Sequence, residues 1–423
     1  MVLKAAIFLY QLTLLFYKGL LQLAALFGHA KALEFFAGRQ RTWKSLVQFA
    51  STNQKPVVWL HSASVGEFEQ GKPVLEALKQ QYPQHAFCVS FFSPSGYEAK
   101  KTYDAQWVGY LPLDSAHNAQ LFLQQVRPSL AIFVKYEYWW FYLRQLQQQQ
   151  IPTLLVAGSF RPEQPFFKWY GLLHKKMLGC FTHVFVQTQA MEQLLHSIDV
   201  QNITTCGDPR FDRVLQVATQ PKVNEHVEHF MQAHSGKPVL VAGSTWPADD
   251  AVLAPFANTH SWACIIAPHN VDEASILACK KMFPSSQLLS QYQPNADSNV
   301  LIIDCIGLLS SLYQYATLTY VGGGFSNDGV HNVLEAAVYG KPVLCGPNIK
   351  KYWEAKALVE QGGLFTVATT QELQQQINLL QNSQISYQAA CQASAVFVRQ
   401  HSGATDAIVK FIYEKRLLTK SSK

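Results

Sequence analysis

Residues 318–340 read Leu-Thr-Tyr-Val-Gly-Gly-Gly-Phe-Ser-Asn-Asp-Gly-Val-His-Asn-Val-Leu-Glu-Ala-Ala-Val-Tyr-Gly. A β-rich run, Leu318 to Val321, ends in three glycines. A polar loop follows, and a helix is predicted from near His331 with Glu335 in its first turns. Glycines tolerate positive φ and let a backbone approach a ligand without Cβ collisions. The N–H groups and positive dipole end of a following helix form a ready anion site, and a carboxylate one turn in can accept from a ribose. The combination predicts a nucleotide phosphate site. The same residues also fit a plain strand–helix turn with a satisfied histidine and a surface glutamate.

Strand, turn and helix recur to either side. From residue 56 the apolar runs Val57–Leu60, Phe87–Phe92, Leu130–Val134, Thr153–Ala157, His183–Gln187 and Ile203–Cys206 alternate with helical patterns such as Gln70–Gln81 and Tyr138–Gln149. After a polar stretch, Gln220–His234, a second set begins: Val239–Ala242, Cys264–Ala267, Val300–Ile303, Leu318–Val321, Pro342–Cys345 and Leu364–Val367. Alternating strands and helices imply parallel βαβ units. The chain has 423 residues, more than one core usually serves, and 48% of them are hydrophobic. Two doubly wound α/β halves are therefore expected, joined near Gly207–Asp212. Ligands of such sheets bind beyond the carboxyl ends of the strands.

Charge and cysteine usage narrow the class. Of the net +6, residues 1–50 carry +5 and residues 401–423 carry +3, leaving the middle at −2. Basic ends on a near-neutral body suit an anionic surface, and no basic stripe interleaved with aromatics marks a nucleic-acid groove. Eight cysteines, never closer than 15 positions, form neither a zinc spacing nor a C-x-x-C pair and read as reduced thiols. Residues 5–28 hold only Lys18 as a charge, and Lys4, Gln11, Lys18 and Gln22 make a narrow polar stripe on one helix. A spanning helix needs ~20 apolar residues, and Lys18 interrupts that run. A helix lying in the membrane interface fits, with Lys31, Arg39, Arg41 and Lys44 reaching for anionic headgroups. A core helix, or a signal peptide cleaved near Ala30-Lys31-Ala32, are the other readings.

Several strand ends carry chemistry. His61-Ser62-Ala63-Ser64-Val65-Gly66-Glu67 follows the first strand, where Glu67 can act as a general base on a hydroxyl. Ser64 and Glu67 also form the Ser-x-x-Glu of a capping box, in which Glu67 is purely structural. Glu137, in Lys135-Tyr136-Glu137-Tyr138-Trp139-Trp140, is costly to bury unpaired; a cation or hydroxyl holds it, or it lies in a cleft. Arg161, in Gly158-Ser159-Phe160-Arg161-Pro162, suits a carboxylate or phosphate, or a surface salt bridge. In the second half, Gly243-Ser244-Thr245-Trp246 and Pro268-His269-Asn270 add hydroxyls, an imidazole and an amide on the rim of the triple glycine. No D-x-D, His/carboxylate metal spacing, P-loop or G-x-S-x-G occurs.

The ordered set resembles the 3-deoxy-D-manno-octulosonic acid (Kdo) transferase family of lipid A assembly. The resemblance rests on the Glu67 segment, Ser93-Pro94-Ser95-Gly96, Glu137-x-Trp139, Gly207 through Asp212, Gly243-Ser244-Thr245, Val321-Gly322-Gly323-Gly324, His331-Asn332-x-Leu334-Glu335-Ala336-Ala337 and Gly346-Pro347. It covers nearly the whole chain. It implies a GT-B glycosyltransferase: two Rossmann-like doubly wound domains, an interdomain cleft and an N-terminal membrane-associated helix. The implied division is residues 1–35 as the apolar helix, 36–212 as the acceptor domain, 213–403 as the CMP-sugar domain and 404–423 as a basic C-terminal helix.

The implied reaction is inverting, metal-independent transfer of Kdo from CMP-Kdo to a hydroxyl of a lipid A precursor, at the cytoplasmic face of the inner membrane, with no cofactor. Glu67 is then the base, Glu137 a second required acid, and Arg210, where a Lys is usual, steadies the transition state. Ser244, Thr245, Pro268, His269, Gly323, Gly324, Phe325, His331, Asn332, Val333, Leu334 and Glu335 are the nucleotide-binding candidates. Ser64, Gly66, Ser159 and Arg161 are those for the substrate. The chain departs from the family at Lys135, a frequent acid, at His269, often Arg, and at Trp140, usually Pro. A GT-B enzyme using a UDP-sugar and a lipid acceptor is the alternative, followed by an exported two-domain sugar-binding protein.

Overall fold

The structure, a computed structural model, describes residues 2–294 and 298–418. The chain forms two units, one running to Asp212 and resuming at Gly403, the other Arg213–Ser402.

The first unit is a seven-stranded parallel sheet of β1 (Val57–Ser62), β2 (Ala86–Phe91), β3 (Trp107–Tyr110), β4 (Pro128–Val134), β5 (Thr153–Gly158), β6 (His183–Val186) and β7 (Ile203–Thr205), ordered β3-β2-β1-β4-β5-β6-β7. All six residues of β1 are buried, as its continuous apolar run requires of a central parallel strand. Strand order reverses between β1 and β4, the place where open α/β sheets leave a crevice. Glu67 follows one of these strands and Glu137 the other.

The second unit repeats the plan with β8 (Val239–Thr245), β9 (Ala263–Pro268), β10 (Gln287–Leu288), β11 (Val300–Ile302), β12 (Leu318–Val321), β13 (Val343–Cys345) and β14 (Leu364–Thr366), ordered β10-β11-β9-β8-β12-β13-β14. Its reversal lies between β8 and β12, so Ser244–Trp246 and the glycines share one edge. The expected fold is present; β3 and β10 were not foreseen. β3 has four residues and β10 two, too short for a period to show.

Helix α1 spans Val2–Leu26 and α2 spans Ala30–Thr52. A division at residue 35 falls inside α2, whose buried face Ala32, Phe35, Gly38, Thr42 and Leu46 is one continuous helical stripe. Gly38 leaves room for the Tyr110 ring, since a Cβ there would meet that ring at 2.4 Å. Leu3, Ala6, Ile7 and Tyr10 pack α1 onto the first unit's core, while Phe8, Leu9, Leu12, Leu15 and Phe16 are exposed. Among the described residues α1 is the one helix long and apolar enough to cross a membrane, with mean hydropathy 1.3.

The C-terminal helix, Ala404–Glu414, belongs to the first unit. Asp212 accepts from the N–H of Gly403 at 2.5 Å and of Thr405 at 2.7 Å, two donors that a helix start leaves unpaired. Ile408 and Ile412 then enter the core. The expected 404–423 segment includes residues 419–423, which lie outside the described residues.

Candidate active site

Helix α3, Val65–Gln81, starts directly after β1. Ser64 caps it, its Oγ accepting from the Glu67 N–H at 3.4 Å, and Glu67 Oε2 accepts from the N–H groups of Ala63 (2.7 Å) and Ser64 (3.1 Å). The capping box is therefore present. It does not exhaust Glu67: both bonds fall on Oε2, and Oε1 accepts nothing among the described residues. Burial and then the charge of Glu137 push the Glu67 pKa up to about 7, outweighing the two backbone N–H bonds and Lys135, which favour the anion. A carboxyl so placed exchanges a proton near neutrality, as a general base must. Gly66, next to it, is exposed, and a Cβ built there meets nothing within 4 Å.

Glu137 is buried and bonded on Oε2 by His61 Nε2 at 2.8 Å and Trp139 Nε1 at 2.6 Å. His61 is fully buried; its Nδ1 lies 2.9 Å from Ser90 Oγ, which itself accepts from Trp59 Nε1 at 2.8 Å. His61 Nδ1 also lies 3.1 Å from the Ser90 carbonyl, to which it donates when it carries a proton. With the proton on Nε2 alone, Trp59 donates to Ser90, Ser90 donates to Nδ1, and Nε2–H donates to Glu137. Of the two sequence options for Glu137, being held by a partner is the one found. The partner is an imidazole from β1.

Two charged groups near this edge were not foreseen as part of it. Lys135 closes β4 with φ +64°, a left-handed conformation costly for a side chain with a Cβ. Its charge favours the ionised forms of Glu67 and Asp208. Asp208 is fully buried and accepts from Gln70 (2.8 Å), Gln187 (2.9 Å) and Arg210 Nε (2.9 Å). Burial alone would raise its pKa; Arg210, its hydrogen bonds and Lys135 win, and Asp208 sits below its ordinary value. Arg210, expected to face the reaction, holds Asp208 with Nε and, at 2.8 Å, with Nη2. Ser159 is buried at the end of β5. Arg161 is exposed and borders a cavity of about 390 Å3 with Tyr136 and Trp139. Lys135 was visible only as a lysine at an unusual place; Asp208 gave no sign.

In the second unit the glycines have a packing role that the sequence did not show. A Cβ on Gly322 would lie 2.3 Å from the Ser244 carbonyl oxygen, and one on Gly324 would lie 2.6 Å from Gly346 Cα. Their smallness lets backbone meet backbone. Gly323, at φ +91°, donates its N–H to buried Asp249 at 2.9 Å, and Asp249 also accepts from Tyr320 at 2.8 Å. The His331 N–H goes to the Gly322 carbonyl at 3.0 Å. Two N–H groups expected for an anion are thus spent. Those of Gly324, Phe325, Asn332 and Val333 donate to nothing among the described residues.

The helix predicted from His331 begins instead at Leu334 and ends at Ala337. Asn332 replaces its first turn: Oδ1 accepts from the Leu334 N–H at 3.3 Å, and Nδ2 donates to Glu335 Oε1 at 2.9 Å. Gly340, at φ +62°, follows. One turn carries little dipole, so anion affinity here falls to individual N–H groups. His269 stacks on both His331, at 4.4 Å, and Trp246, at 4.7 Å; these two rings lie 6.4 Å apart, and Trp246 Nε1 donates to His331 Nε2 at 2.9 Å. Burial and the neighbouring His269 push the His331 pKa down to about 4, so the stack is neutral at pH 7. Ser244 is held at φ +54° and Pro268 ends β9. Thr245, Val333 and Leu334 have buried side chains, leaving only their backbones for a ligand.

Residues 39–213 match the family model described as 3-Deoxy-D-manno-octulosonic-acid transferase (kdotransferase). The chain is 26% identical over 331 residues to the 3-deoxy-D-manno-octulosonic acid transferase of Aquifex aeolicus, covering 76% of this chain and 85% of that protein. Among solved structures, UDP-GlcNAc 2-epimerase of Neisseria meningitidis bound to UDP-GlcNAc superposes with TM-score 0.60 at 14% identity, covering 85% of this chain and 100% of that one. MurG of Acinetobacter baumannii superposes with TM-score 0.52 at 15% identity, covering 85% and 99%. At such identities the two structures establish the fold, a GT-B pair of Rossmann-like units.

Proposed function

Because the chain belongs to the 3-deoxy-D-manno-octulosonic acid transferase family and is a glycosyltransferase, we propose that it moves Kdo from CMP-Kdo to a hydroxyl of a lipid A precursor. Kdo transfer onto a lipid A-type acceptor follows from the family; the donor, the inversion and the base are our reading. The observation that carries it is Glu67. One carboxylate oxygen is fixed by two N–H groups, the other is uncommitted, and the pKa is pushed up to about 7. Oε1 takes the acceptor hydroxyl's proton while that oxygen bonds to the anomeric carbon. The bond from that carbon to the CMP phosphate oxygen breaks, and CMP leaves with the electron pair. Attack opposite the leaving group inverts the centre.

His61 and Trp139 hold the Glu137 carboxylate inward, and its proximity raises the Glu67 pKa, making Glu67 basic enough to accept the proton. Lys135 supplies positive charge for the acidic sugar, and Arg210, paired with Asp208, contributes through its orientation. In the second unit the N–H groups of Gly324, Phe325, Asn332 and Val333 suit the CMP phosphate, Glu335 a ribose hydroxyl, and the neutral His269–His331 stack an aromatic base. No step requires a metal ion. The packing of Leu3, Ala6, Ile7 and Tyr10 on the first unit, with an apolar outer face left exposed, supports α1 lying on the cytoplasmic face of the inner membrane rather than crossing it. Incubation with CMP-Kdo and a tetra-acylated lipid A precursor, followed by mass measurement of the lipid, tests the reading. A gain of whole Kdo units is expected, and an unchanged lipid with intact CMP-Kdo refutes it.

A further inference from the structure

Helices α1 and α2 and the segment 112–121 line a cavity of about 670 Å3 that is open to the outside along α1, within the size range of small-molecule pockets. Its walls are mainly apolar: Leu12 and Leu15 from α1, Phe36 and Trp43 from α2, and Leu121 opposite. The polar stripe of α1 does not lie on a free edge, because Gln11 and Lys18 face this cavity. Lys18 is exposed at its rim and has no carboxylate in reach among the described residues. Arg39, also in the wall, donates to the carbonyls of Leu111, Phe35 and Phe92 at 3.1, 3.1 and 2.8 Å, again without a carboxylate partner. The acid in the wall, Asp114, is already bonded by the Tyr10 hydroxyl at 2.7 Å and by the N–H groups of Phe141 and Tyr142 at 3.1 and 3.2 Å. An apolar chamber with an unneutralised cationic rim suits a hydrocarbon chain attached to an anionic head.

The cavity is also one aromatic layer from the candidate active site. Phe35 in its wall meets Phe92 at 5.9 Å, Phe92 meets Trp139 at 4.8 Å, and Trp139 donates to Glu137. We propose that this cavity is an acyl-chain site for the acceptor, a phosphorylated glycolipid whose chain enters between α1 and α2 while Lys18 meets a phosphate. The proposal rests on the acceptor being an acylated lipid, as argued above. Seating the chain here restrains the sugar next to Glu67 and Glu137, so occupancy acts on turnover as well as on affinity. Each methylene drawn from water into the wall strengthens binding about fourfold.

The test uses the full chain in detergent, Leu15→Trp to fill the cavity, and Leu15→Ile as the conservative control. Transfer is measured to an acylated precursor and to the same phosphorylated disaccharide without chains. The filled variant should lose tenfold or more in kcat/KM on the acylated acceptor and change less than twofold on the deacylated one, while Leu15→Ile retains both. A photoreactive group at the end of an acceptor chain should label Phe36, Trp43 or Leu121. Equal losses on both acceptors, no loss on either, or labelling confined to the outer face at Leu9, Phe16 and Leu20 would overturn the proposal. So would labelling displaced by phosphatidylglycerol vesicles but not by unlabelled acceptor, which would assign the cavity to bilayer lipid. If the enzyme transfers Kdo to neither acceptor, the functional reading fails, and the labelling pattern still decides the cavity.

Discussion

Glu137 raises the pKa of Glu67, although the two carboxylates stand after different strands, β1 and β4, and Glu137 is turned inward to His61. One acid is locked by an imidazole and an indole; the other is left with a free oxygen at the start of α3. Two titratable groups in unlike surroundings take different roles, and the pair sits where the sheet reverses its strand order.

The pH profile follows from the sign of each neighbour. Glu67 must be ionised to act, so kcat should rise with pH through about 7. Glu137→Gln removes a negative neighbour and should move that limb to lower pH. Lys135→Met removes a positive one and should move it higher. Shifts of the same direction in both variants, read from kcat–pH curves, would contradict this arrangement.

Stability should run against activity at Glu67. Its folded pKa is raised from 4.5 to about 7, so the folded state binds the proton more tightly than the unfolded one. That contribution is fully present below 4.5 and is lost as pH rises through about 7. Glu67→Gln can still accept the box hydrogen bonds and carries no charge. Its melting temperature should exceed the wild-type value at pH 8, with the gap closing toward pH 4.5. Thermal melts at the two pH values check this; a gap independent of pH would contradict it.

Two glycine substitutions separate packing from contact with substrate. Gly324→Ala drives a Cβ into the Gly346 backbone and should cost about 1–3 kcal/mol of stability. Gly66→Ala meets nothing in the protein and should melt as wild type does, while kcat/KM for the acceptor should fall if the acceptor approaches this exposed backbone next to Glu67. Unfolding curves and acceptor kinetics on the two variants distinguish these effects.

Nucleotide affinity is expected to depend on Glu335 and not on metal. Glu335→Ala should weaken CMP and CMP-Kdo together by about tenfold, the loss of one charge-assisted hydrogen bond of ~1.5 kcal/mol. EDTA should leave both affinities and turnover unchanged. Calorimetric titration reads the first; a loss of transfer restored by Mg2+ would contradict the second.

How much of this was legible in the sequence depended on how local the cause was. β1 and β4 are continuous apolar runs and declare themselves, and so does a glutamate at a strand–helix turn. The capping box could be read from Ser64 and Glu67 because it is a four-residue pattern. What could not be read are relations between distant positions. Asp249 takes the Gly323 N–H from 74 positions away, and Ser244 needs Gly322 to lack a Cβ. The glycines therefore seat one backbone on another, a packing role that the sequence did not reveal. The helix start moved from His331 to Leu334 because Asn332 caps the turn from outside it. Gln11 and Lys18 looked like a free polar edge, and they instead border a cavity that α1 forms with α2.

The central claim, that Glu67 takes the acceptor proton during Kdo transfer, is tested most directly by single-turnover transfer from CMP-Kdo to a tetra-acylated lipid A precursor with wild-type and Glu67→Gln enzymes. Lipid mass and released CMP are read together. The account predicts that the folded variant binds CMP-Kdo normally and forms Kdo-lipid ~10²–10⁴-fold more slowly. A folded Glu67→Gln enzyme forming Kdo-lipid at the wild-type rate would contradict it and leave Glu67 as a helix cap alone.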